Sequence, residues 1–169
     1  MRMTFRFFLT LLVALSLVAL GQSFAAAADN QCNGTNACTG NSGKTGNDSC
    51  NGDHACFYNE GRIRNYSCNG QGACVFNANT VGNYSCNEDL ACLDNEGKVG
   101  DSSCQGDFAC LENSGRIFDR ACKGNGAYLN NSGQIGNGSC NGYGACCGNN
   151  DDIPQGQCNG DYACNSCGG

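Results

Sequence analysis

The sequence predicts an all-β fold: a single parallel β-helix, or solenoid, of about eight 18-residue coils stapled by intra-coil disulfides. Three observations carry this. Cys32, Cys50, Cys68, Cys86, Cys104, Cys122, Cys140 and Cys158 recur at intervals of eighteen residues without insertion or deletion. A second cysteine follows six positions later in seven of the eight units, at Cys38, Cys56, Cys74, Cys92, Cys110, Cys146 and Cys164. Gly, Asn and Ser interrupt every unit, so no long stretch carries the apolar period of a helix. Equal intervals matter because linked beads tolerate connections of any length, whereas stacked coils lose register on one insertion.

The chain opens with Arg2 and Arg6 ahead of an apolar run from Phe7 to Leu20 and then small residues, the layout of a secretory signal peptide over 1–28. The glycine-rich, Cys-rich repeat domain then occupies 29–169, and nothing in it resembles a membrane span. The chain is therefore expected to be secreted and extracellular. Seventeen cysteines among 169 residues suit an oxidising compartment.

Without residues 1–28, seven basic residues face fifteen acidic ones, a net of about −8. That balance argues against nucleic acid as a partner. The expected partner is an extracellular surface, glycan or protein of unspecified identity.

Aligned on the first cysteine, the unit reads C-N-G-x-x-A-C-h-x-N-x-G-x-[IV]-G-[ND]-x-S, where h is often apolar. Slot six is alanine throughout, and slot ten is asparagine from Asn41 to Asn149. Coils stacked about 4.8 Å apart would align these asparagines into an amide ladder. Ile63, Val81, Val99, Ile117 and Ile135 at slot fourteen would form an apolar ladder facing the interior. The slot-twelve glycines, Gly61 and Gly97 among them, are expected at positive φ. Eight coils give a rod roughly 35 to 40 Å long.

Pairing within each unit makes seven bridges, Cys32–Cys38 through Cys158–Cys164, and leaves Cys147, Cys167 and Cys122. A Cys147–Cys167 bridge would clamp the last coil, and Cys122, whose partner slot holds Tyr128, becomes the free thiol. Ladder pairing between coils is the alternative, but the unit missing its second cysteine leaves an odd total, which favours pairing within coils. Each short loop contributes roughly 2 kcal/mol in the chain-entropy model. Slots one and seven differ in parity from six, eight and fourteen, so the cystines fit either the interior or a corner.

The C-x5-C spacing from Cys32 to Cys164 resembles that of the disulfide-stapled β-helical antifreeze proteins of beetles. The resemblance implies a coil carrying an internal bridge. The beetle coil is shorter, and its Thr-x-Thr ranks are absent here.

The candidate binding face is the pair of slots sixteen and eighteen: Asn47 and Ser49, Asn65 and Ser67, Asn83 and Ser85, Asp101 and Ser103, Asn137 and Ser139. Two ranks of short polar side chains would suit ice, a mineral or a polysaccharide; the plainer reading is a turn bonding its own backbone. Asn47, Asn65, Asn83 and Asn137, with Asn33 and Asn130, are also glycosylation acceptors by motif.

Metal sites and cofactors are not expected. His54 is the only histidine, and the carboxylates Asp53, Asp89, Asp107 and Asp161 at slot four lack the GGxGxD pattern of calcium-binding β-rolls. Lys44, Arg62, Lys98 and Arg116 at slot thirteen read as solvated charge. No nucleophile, base and orienting group occur together, so the expected function is a non-catalytic extracellular structural or interaction module, with surface binding as the alternative.

Overall fold

The computed structural model describes residues 31–127 and 130–164. Five two-residue strands, β1 Arg62–Ile63, β2 Thr80–Val81, β3 Lys98–Val99, β4 Arg116–Ile117 and β5 Gln134–Ile135, stack in sequence order into one parallel sheet. The register advances by one whole unit per rung: Arg62 pairs with Thr80, Val81 with Val99, and Ile117 with Ile135. Isolated bridges at Lys44–Arg62 and Ile135–Ile153 extend it at either end. No helix occurs among the described residues, and the architecture is an all-β parallel solenoid.

Each strand places its first side chain outward and its second inward. Ile63, Val81, Val99, Ile117 and Ile135 are buried beneath the sheet, forming the expected apolar ladder. The alternation is the ordinary period of an extended chain with one wet face. Outside the strands that period fails.

From slot three to slot ten the coil is a run of overlapping turns. In the first coil, the Ala37 N–H donates to Gly34, Thr39 to Asn36 and Asn41 to Cys38. Positive φ falls at the third position of each turn, on Asn36, Cys38 and Gly40, where a type II turn demands it. The same conformation recurs at slots one and seventeen, as at Cys50 (φ 60) and Tyr66 (φ 58). For a residue with a β-carbon it costs about 1 kcal/mol or more. The return is directional: these residues turn their N–H along the rod axis. Cys38 and Cys56 donate forward to Ala55 and Ala73 of the next coil, while Tyr58 and Tyr66 donate back to Thr39 and Asn47 of the previous one.

This conformation removes the glycine expectation. Gly61 and Gly97 are absent from the positive-φ residues, which include cysteines, aspartates and tyrosines instead. A β-carbon on Gly97 would strike the Gly115 carbonyl oxygen of the next coil, and one on Gly61 the Asn79 carbonyl. Slot twelve needs glycine because neighbouring backbones approach there, not because of φ.

The interior is narrow and layered. Cys50, Cys56, Cys68, Cys74, Cys86, Cys92, Cys104 and Cys110 have no exposed surface, and the slot-six alanines and the Ile/Val ladder complete the apolar cluster. The cystines therefore lie inside the coil, stacked so closely that the sulfurs of Cys86, Cys92 and Cys104 fall within 4.8 Å of one another. Slots six and seven can both face inward because the positive φ at slot seven interrupts the alternation. The parity conflict in the sequence is resolved by backbone conformation.

Bridges join Cys32–Cys38, Cys50–Cys56, Cys68–Cys74, Cys86–Cys92, Cys104–Cys110, Cys140–Cys146 and Cys158–Cys164, all with a separation of six residues. Cα–Cα distances such as 5.6 Å for Cys50–Cys56 are ordinary for a cystine. Cys147 is disulfide-bonded as well, whereas Cys167 and Tyr128 lie outside the described residues, as does the expected signal segment 1–28. No helix among the described residues is long and apolar enough to cross a membrane.

Candidate functional site

The proposed binding face begins with its serines. Ser49, Ser67, Ser85, Ser103 and Ser139 have no exposed surface. This corrects the two-rank face: slot eighteen points into the rod while Asn47 and Asn65 at slot sixteen point out. The physical reason is the residue between them. Asp48, Tyr66 and Tyr84 hold positive φ (50, 58 and 56), so side chains two apart no longer share a side.

Inside, these hydroxyls tie one coil to the next. The Ser67 hydroxyl lies 3.1 Å from the Asn65 carbonyl and 2.6 Å from the Gly82 carbonyl of the next coil, and its oxygen accepts the Ser85 N–H at 3.2 Å. Ser85 repeats the pattern with Asn83, Gly100 and Ser103. The column continues past its missing member, since the Ala121 N–H still donates to the Ser103 hydroxyl. The slot-eighteen serine is thus an internal brace.

The slot-sixteen rank, exposed at Asn47, Asn65 and Asp119 and half-buried at Asn83, Asp101 and Asn137, is equally occupied. The Asn47 N–H donates to the side-chain oxygen of Asn65 at 3.0 Å, Asn65 to Asn83 at 3.3 Å, and Asn83 to Asp101 at 2.8 Å. Asp101 donates likewise to Asp119, and Asp119 to Asn137, at 2.9 Å each. Here an Asn or Asp side-chain oxygen replaces the backbone acceptor missing above each outward N–H.

Slots two and four use the same device. The Asn51 N–H donates to Asn69 and the Asn69 N–H to Asn87. At slot four, Asp53 accepts from the Thr35 N–H, Asp89 from Gln71 and Asp161 from Tyr143, while the Asp107 N–H donates to Asn125. These carboxylates serve as acceptors for neighbouring coils. Exterior ranks that looked like ligand positions join one coil to the next.

The slot-ten asparagines make the inner amide ladder. Asn59 donates to Asn41 at 2.8 Å, Asn77 to Asn59 at 2.6 Å, Asn95 to Asn77 at 2.7 Å and Asn113 to Asn95 at 2.8 Å. The same amides donate to slot-twelve carbonyls two residues on, as Asn95 does to Gly97 at 2.8 Å. Among the described residues, no buried side-chain nitrogen or oxygen lacks a partner.

Chemically reactive groups are few. Cys122 is a free cysteine, buried in the coil interior, and loss of hydration raises its thiol far above the ordinary range. Such a thiol is a poor nucleophile. The clustered sulfurs of Cys86, Cys92 and Cys104 all belong to bridges, so they offer no thiolate to a metal. His54 lies against the Asn36 amide, with Nε2 3.3 Å from Nδ2.

Aromatic columns at slots nine and seventeen were not anticipated. Tyr66 stacks on Tyr84 with centroids 4.9 Å apart and planes 4° apart, and Tyr58 stacks on Phe76 at 5.9 Å. Aromatic residues in equivalent slots of adjacent units were the available signal. Each ring turns a face toward its neighbour along the axis, so neither pair forms a flat sugar platform.

The outward strand positions remain. Lys44, Arg62, Lys98 and Arg116 are exposed at slot thirteen of the sheet. Arg64, two residues beyond Arg62, reaches Asp101 at 3.9 Å, and the Arg116 guanidinium lies 4.2 Å from the Phe118 ring centre.

No curated protein and no solved structure matches the chain. A family described as a domain of unknown function (DUF7640) matches residues 19–78 and, in a second overlapping match, 57–142. Together the matches cover most of the chain and five of its seven intra-coil bridges whole, and the protein belongs to the DUF7640 family.

Proposed function

We propose that the chain is a secreted, non-catalytic extracellular scaffold: a rigid rod presenting a regular surface. The observation supporting this is that inner Asn and Ser columns and outer Asn/Asp ranks are alike engaged in coil-to-coil bonds. Disulfides within the coils suit an oxidising environment. A site able to turn over substrate would need polar groups converging on a ligand; here they converge on the backbone.

Binding of ice, mineral or polysaccharide through paired Asn/Ser ranks loses its basis with the serines inside. Two measurements test the scaffold. The oxidised chain is expected to resist protease and lose that resistance on reduction; equal resistance after reduction would contradict it. A panel of glycoside, ester and peptide substrates is expected to show no turnover, and activity abolished by Asp107→Asn would replace the scaffold with an enzyme.

A further inference from the structure

The outward rank of the parallel sheet carries the reverse of the chain's net charge. Lys44, Arg62, Lys98 and Arg116 stand in register on the sheet, with Thr80 the gap between Arg62 and Lys98 and Gln134 beyond Arg116. Four of the seven basic residues beyond residue 28 therefore lie on one line. Glu60 and Glu96 flank it at slot eleven, and the other acidic side chains occupy other slots, apart from Asp152 at slot thirteen beyond Gln134.

The geometry points to a binding site for a linear anionic polysaccharide laid along the rod axis over Lys44, Arg62, Lys98 and Arg116. Successive rungs lie about 4.8 Å apart, comparable to one sugar residue of an extended chain, so each cation can meet one carboxylate or sulfate. A rank of point charges suits such a polymer. Nucleic acid is less suitable because single strands require aromatic stacking platforms; the aromatic beside this rank, Phe118, is covered by Arg116. The backbone beneath is fixed by the ladder, so docking orders the side chains and the polymer but not the protein backbone. This inference rests on the rigid-scaffold reading and adds its partner.

Net negative charge gives the site an unusual salt response. At about 0.01 M salt the screening length is about 30 Å, and repulsion from the whole acidic rod reaches the ligand; at about 0.1 M it is about 10 Å, and the local cations dominate; at 1 M both are lost. Binding is therefore expected to be strongest at intermediate salt.

The test titrates the oxidised full chain with polygalacturonate, dextran sulfate, neutral dextran and oligo(dT) at these three salt concentrations. The expected result is binding to at least one anionic polysaccharide, strongest near 0.1 M and absent for neutral dextran. Preference between the two polymers identifies carboxylate or sulfate. Combined Lys44→Gln, Arg62→Gln, Lys98→Gln and Arg116→Gln should weaken it at least about tenfold, while Arg120→Gln with Lys123→Gln changes it less than about twofold. Thr80→Lys, which fills the gap, should tighten binding about threefold. Failure of both anionic polymers to bind, undiminished binding by the fourfold variant, equal loss in the control variant, or tighter binding of oligo(dT) would overturn the assignment. Protease resistance of the same samples separates a failed site from a failed scaffold.

Discussion

At the residue scale, asparagine does the work that backbone carbonyls perform in a regular sheet. Asn95 donates to Asn77 and to the Gly97 carbonyl, and accepts from Asn113, all inside the rod. Asn95→Ala strands each of those partners without water. It should cost about 3 kcal/mol, read as a lower denaturant midpoint. Half-buried Asn83→Ala leaves the N–H of exposed Asn65 beside solvent and should cost only about 1 kcal/mol.

Cys122 carries a pH prediction on the same scale. Its folded-state pKa is raised by burial, so the folded protein holds the proton after the unfolded chain has released it. The resulting stability is fully present below the unfolded thiol's pKa of about 8.5 and is lost as pH rises above it, by up to about 1.4 kcal/mol per unit. Denaturation at pH 7.5 and 9.5 should show this loss in the native chain and less of it in Cys122→Ala. Alkylation by iodoacetamide should require unfolding.

At the scale of the element, each of the five coils with a strand combines its two residues of strand with a long chain of turns. The strand depends on its inward apolar residue: Ile117 is 1% exposed, and Ile117→Ala should cost about 3 kcal/mol through lost burial and the cavity left. The turns depend on close approach. Gly97→Ala drives a methyl into the Gly115 carbonyl and is expected to destabilise by roughly 1 to 3 kcal/mol, although alanine is compatible with the backbone angle there. A conformational explanation for Gly97 predicts the smaller penalty of a simple entropy change, so the measured size discriminates between them.

At the scale of the whole molecule, every coil meets its neighbours through the same slots, so stability is set by nearest-neighbour interfaces. Removing residues 86–103, one whole unit, joins Ser85 to Cys104 and restores the slot sequence. Such a chain should fold with the remaining intra-coil disulfides intact, as judged by a disulfide map and protease resistance. Inserting one residue after Asn95 should instead release the ladder on one side of the insertion, because no coil there can meet its partners slot for slot.

Period, parallel stacking, the Asn41–Asn113 and Ile63–Ile135 ladders, the intra-coil pairing and the free Cys122 were all legible because they are statements about identical residues at identical separations. The orientation of Ser67 against Asn65, the reason for Gly97 and the interior position of the cystines were not. They turn on positive φ at residues such as Cys50, Asp48 and Tyr66, side-chain types that do not announce that conformation. Sequence by itself determined which residues meet across coils, since stacking preserves slot number; only the tertiary structure decided which way each slot faces, since that depends on backbone handedness imposed by hydrogen bonds to the coils on either side.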